Sequence, residues 1–141
     1  MGSIRNGLSI KKRSMPRPTL LVAEPEPSQA LSVRKLVLET AKFNVLTAHS
    51  TREALDLFHL FPNINIAVLV SDPTIDCEGV GRSIKEMTDK IQIVVLSPRI
   101  GDKYESADFM LSSHEPEQLV NLVRSLAGDP RDPSQIKPVQ S

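Results

Sequence analysis

The sequence predicts an α/β domain, a five-stranded parallel sheet with helices on both faces, and three observations carry that expectation. Apolar residues come in short unbroken runs such as Ile66-Ala67-Val68-Leu69-Val70, the pattern of strands buried on both faces. Between these runs the apolar spacing turns helical. The chain has 141 residues and is 40% apolar, which suits one domain with one core. Aromatic residues make up 4% and tryptophan is absent, so Leu, Val, Ile and Ala must fill that core.

Met15-Pro16-Arg17-Pro18 sets the start of the domain, because each proline holds its predecessor extended and blocks a helix. Leu20 to Ala23 read as the first strand. From about Ser28, the residues Leu31, Val33, Leu36, Val37 and Ala41 show helical spacing. Phe43 to Ala48 follow as a second strand. Ser50-Thr51-Arg52-Glu53 is a capping-box sequence opening a helix through Ala54, Leu55, Leu57, Phe58 and Phe61, which Pro62 should end. Ile66 to Val70 form the central strand, and a polar loop runs from Ser71 to Glu78. Val80, Ile84 and Met87 at i, i+4, i+7 mark a third helix. Ile91 to Leu96 and Asp108 to Leu111 are the last two strands. A final helix has Pro116 near its start, Leu119, Val120, Val123 and Leu126 on its buried side, and Gly128 as its stop.

Strand and helix alternating in this way force parallel pairing with right-handed crossovers, for which the flavodoxin-like order 2-1-3-4-5 is the common solution. The carboxyl ends of strands one and three then meet at the switch point. That topology gathers Glu24, Glu26, Ser71 and Asp72 at one edge. Only Pro98 to Ala107 separate strands four and five, so a helix there must be short or absent.

Charge and composition narrow the remaining classes. Lys+Arg and Asp+Glu each number 17, yet residues 1–18 hold Arg5, Lys11, Lys12, Arg13 and Arg17 with no acid. This basic arm is expected to be a solvated, disordered tail, since no aromatic interleaving marks a nucleic-acid surface; residues 129–141, with three prolines, are expected to be a second one. Residues 19–128 form the domain. A single cysteine, Cys77, excludes an internal disulfide and fits a reducing, cytoplasmic setting. No apolar run nears the roughly 20 residues of a membrane span. Met1-Gly2-Ser3-Ile4-Arg5-Asn6 lacks the Ser or Thr of a myristoylation signal, and Lys11-Lys12-Arg13 precedes no apolar stretch.

Leu20-Leu21-Val22-Ala23-Glu24-Pro25-Glu26-Pro27 resembles the opening of receiver domains of two-component response regulators, in a degenerate form. The resemblance implies an acidic turn holding Mg²⁺, a phosphoryl-accepting aspartate after strand three, a Ser or Thr after strand four and a Lys after strand five. Glu24 falls on the first acidic position and Pro25, which offers no ligand, on the second; Glu26 comes one place late. Glu24 and Glu26 are therefore the candidate metal ligands, weak ones. Asp72 is the candidate acceptor, but the family's spacing to a following glycine, counted back from Gly79, and the apolar Val70 both favour Ser71. Ser97 matches the switch position, and Ser113, in Leu111-Ser112-Ser113-His114, stands where the lysine would be. Met110 takes the position of the family's aromatic switch residue.

These departures imply a stand-alone signalling module acting through protein–protein contacts with a sensor kinase or other signalling proteins. No cofactor is then expected, and the chain is no enzyme. The alternative is a working phosphorelay receiver phosphorylated on Asp72 with Mg²⁺. A third reading, an unrelated α/β domain binding a ligand or nucleic acid through the basic arm, is disfavoured for nucleotides because no glycine-rich loop follows the first strand. Oligomeric state is not legible.

Overall fold

A computed structural model describes residues 17–26, 32–61, 63–99 and 101–132. Residues 1–16 of the arm and 133–141 of the tail lie outside that set, as do Ser28, Leu31 and Pro62. The elements are β1 (Thr19–Ala23), α1 (Val33–Thr40), β2 (Asn44–Ala48), α2 (Thr51–Leu60), β3 (Ile66–Val70), α3 (Cys77–Met87), β4 (Gln92–Ser97), β5 (Phe109–Ser112) and α4 (Pro116–Ala127). The sheet runs β2-β1-β3-β4-β5 with every pair parallel, the 2-1-3-4-5 order expected from the βα alternation.

Alternation along each strand divides the core in two. Leu21, Ala23, Ala67, Leu69, Ile93 and Val95 pack under α2 and α3 with Phe58, Val80 and Ile84. Leu20, Val22, Ile66, Val68, Val94 and Leu96 pack under α1 and α4 with Leu38, Leu119 and Val123. β3, at the centre, is buried at all five positions, which is why its sequence shows no alternation.

Helix ends follow local chemistry. Ser50 caps α2 by accepting from the Glu53 amide, while Glu53 reaches back to the His49 amide, one residue before the cap. α1 opens on Ser32, whose hydroxyl accepts from the Lys35 amide. It closes on a pair of reverse bonds, Lys42 N to Glu39 O and Phe43 N to Leu38 O. α4 carries Pro116 at its first turn and stops at Gly128, whose φ of 89° suits a residue without a Cβ.

Two helices bury only some of the apolar residues that mark them in the sequence. On α1 the buried residue is Leu38, whereas Val33 and Leu36 are 56% and 46% exposed. On α3, Val80 and Ile84 are buried but Met87, in the last turn, is 60% exposed. Among the described residues between β4 and β5 there is no helix, in keeping with the short spacing.

Candidate functional site

The carboxyl ends of β1, β3, β4 and β5 form one edge, and chain continuity places a polar residue at each. The ladders run past the strands: the Glu24 amide donates to Ala48 O, Ser71 to Leu96 O and Ser113 to Ser97 O. Glu24, Ser71, Ser97 and Ser113 are thereby fixed by main chain as well as by packing.

Glu24 is 3% exposed. Its Oε1 lies 3.6 Å from Nε of Arg34 on α1, and its Oε2 is buried with no hydrogen-bond partner among the described residues. Arg34 Nε is buried without a hydrogen bond as well, so the contact is one of charge more than of hydrogen bonding. A carboxylate sealed from water costs several kcal/mol unless a cation faces it. Arg34 is that cation. Pro25 is half-buried and Glu26 is exposed; among the described residues no three His, Cys, Asp or Glu side chains converge to hold a metal.

After β3, Ser71 and Asp72 part company. The Ser71 hydroxyl lies 2.8 Å from the hydroxyl of Tyr104, in the segment between β4 and β5. Asp72 Oδ2 accepts from the Thr74 hydroxyl at 2.6 Å and the Thr74 amide at 2.9 Å, closing a turn pinned by an Asp72–Ile75 bridge. Those two donors, the hydroxyl first, hold the Asp72 carboxyl below the usual carboxylate range. Thr51 at the head of α2 accepts from the Asp76 amide at 2.8 Å and braces the same loop.

Ser97 is 4% exposed and donates to Asp102 Oδ2 at 2.6 Å, while its oxygen accepts from the Arg99 amide at 3.2 Å. The hydrogen bond from Ser97, with Arg99 beside it, lowers the Asp102 carboxyl. Ser113, with Ser112, His114 and Arg34, lines a cleft of about 200 Å³ between α1 and the start of α4. Met110 packs at the edge of the core under α2 and α3. The residues that sequence reasoning missed are Arg34, Tyr104 and Asp102. Each meets its partner through tertiary placement, and no local motif announces it.

No family model matches the chain, and no curated protein matches it. Solved structures do. A response regulator receiver domain protein from Clostridium thermocellum is 24% identical, with 77% of this chain and 93% of that one covered and a TM-score of 0.67. A putative response regulator from Chloroflexus aurantiacus is also 24% identical, over 79% and 98% of the two chains, at a TM-score of 0.68. Response regulator TrrA from Thermotoga maritima, solved in complex with Mg²⁺ and BeF, is 23% identical over 77% and 98%, at 0.65. These likenesses define the fold: a flavodoxin-like domain of the kind found in response regulator receivers. Among the described residues no helix is long and apolar enough to cross a membrane.

Proposed function

We propose that the chain is a receiver-type signalling module that works by binding other proteins, a sensor kinase or another signalling protein, without taking up a phosphoryl group at its strand edge. The Glu24–Arg34 pair carries this reading. In an active receiver the first acidic turn presents negative charge to Mg²⁺; here a guanidinium from α1 already stands 3.6 Å from that carboxylate, and Pro25 supplies no second ligand. The donor set does not fit a divalent cation that wants about six oxygen ligands.

Three further features agree. The hydroxyl of Ser71 is engaged by Tyr104 and Oδ2 of Asp72 by Thr74. Ser97 is bonded within its own loop. Ser113 offers no charge where a cation would face a phosphoryl oxygen, a loss that costs several kcal/mol in an electrostatic site. A cytoplasmic setting is part of the proposal.

Incubation of the full chain with acetyl phosphate and Mg²⁺, followed by intact-mass analysis, tests it. The expected result is no mass gain. A hydroxylamine-labile adduct mapping to Asp72 would overturn the reading in favour of a working phosphorelay receiver.

A further inference from the structure

Between β4 and β5, where no described residue is helical, four side chains tie the chain to the rest of the domain. Asp102 accepts from Ser97 at 2.6 Å. Tyr104 meets Ser71 at 2.8 Å. Ser106, 6% exposed, donates from its amide to Glu78 Oε1 and from its hydroxyl to Glu78 O on α3, both at 3.3 Å. Asp108 accepts from the Ile93 amide at 2.8 Å and from Lys85 Nζ at 2.6 Å. Lys103 and Glu105 are exposed, whereas Ala107 is partly buried. A turn closed by the Ala107 amide on Tyr104 O at 3.2 Å lies within the segment, and the four ties anchor it to the end of β3, to β4 and to α3 together.

Packing fits the bonds. Tyr104 and Ala107 lie against the core under α2 and α3. A Cβ on Gly81 of α3 would stand 2.3 Å from the Ser106 hydroxyl, so the helix presents bare backbone where the segment crosses it. Gly101, at φ +94°, adopts the left-handed turn by which the chain enters.

We propose that Gly101–Asp108 is a built-in strap, closed over the strand edge at its Asp102–Tyr104 end and running down to the start of β4, and that a ligand or partner reaches Ser71 only when the strap lifts. This holds whether or not Asp72 accepts a phosphoryl group. A strap tied at four points opens as a unit, so weakening one tie raises the open population of the whole segment. The bond after Lys103 reports that opening, because a protease must draw an extended stretch of chain into its own cleft.

Limited trypsin digestion of the full chain, with scission after Lys103 followed by mass, is the test. The intact protein should be cut there slowly. Tyr104→Phe, which keeps the ring and removes the hydroxyl, should raise the rate roughly three- to tenfold, as loss of one net hydrogen bond predicts. Gly81→Ala should raise it as well, although alanine is the better helix former, since its methyl displaces Ser106. Circular dichroism confirms that each variant is folded, and Tyr104→Phe stands alone if Gly81→Ala is not. Cleavage of the native chain as fast as in a free peptide spanning residues 97–110, or wild-type rates in the folded variants, would overturn the strap. The phosphodonor experiment reads a different event, so the two proposals fail separately.

Discussion

Glu24 on the first strand's end and Arg34 in the first helix form an ion pair at 3.6 Å, with the carboxylate almost wholly out of water. Arg34 keeps 26% of its side chain exposed, so the pair is half-open, and its removal should cost less than the 3–5 kcal/mol of a fully buried one. Arg34→Met should lower stability in urea by about 2 kcal/mol at neutral pH, because Glu24 is left buried beside no cation. Glu24→Leu/Arg34→Met should recover most of that loss. Additive losses in the double variant would show that the two side chains do not act on one another.

Cys77, the first residue of α3, is 2% exposed. Burial chiefly, with the negative charge of Asp76 adding to it, pushes the thiol up to about 11. The folded state therefore favours the neutral thiol. In the unfolded chain the group ionises near 9, so the stabilisation is fully present below that pH and is lost as pH rises from about 9 to 11. Stability measured across that window should fall, and Cys77→Ala should flatten the fall by up to about 2 kcal/mol. An identical slope in the variant would assign the loss to other groups. A thiol reagent should also react with the native protein far more slowly than with the unfolded chain.

The apolar residues of the first helix differ sharply in burial. Leu38 is fully buried against Val22 and Phe43, while Val33 and Leu36 face outward. Leu38→Ala should cost about 2–4 kcal/mol, and Val33→Ser or Leu36→Ser under about 1 kcal/mol, by chemical denaturation. Comparable losses at all three would mean that Val33 and Leu36 are covered.

That contrast shows where sequence reading stops. Strands were legible because burial on both faces leaves unbroken apolar runs, as in Ile66 to Val70, and their order because parallel crossovers allow few topologies. The acidic turn was legible through Glu24 and Pro25. The buried face of α1 was not legible, because Val33, Leu36, Val37 and Leu38 supply more apolar positions than one stripe needs. Nor could local pattern pair Glu24 with Arg34, or Ser71 with Tyr104, which is 33 residues away. Long-range polar partners depend on loop paths that periodicity does not encode.

Lys42 is the described non-glycine residue with a left-handed backbone, at φ 77°. It follows α1 at the position where helices favour glycine, and the bonds Lys42 N to Glu39 O and Phe43 N to Leu38 O complete that motif. Phe43 and Leu38 share the core cluster beneath α1, so the apolar contact that accompanies the motif is present. A Cβ in this conformation costs about 1–2 kcal/mol, partly offset by the extra chain entropy that glycine loses on folding. Lys42→Gly should therefore raise stability by up to about 1 kcal/mol, whereas Lys42→Val should lower it by at least as much because a β-branched side chain crowds the turn further. Thermal unfolding of the three proteins gives the order Gly, Lys, Val. Any other order would show that the helix is closed by a different geometry.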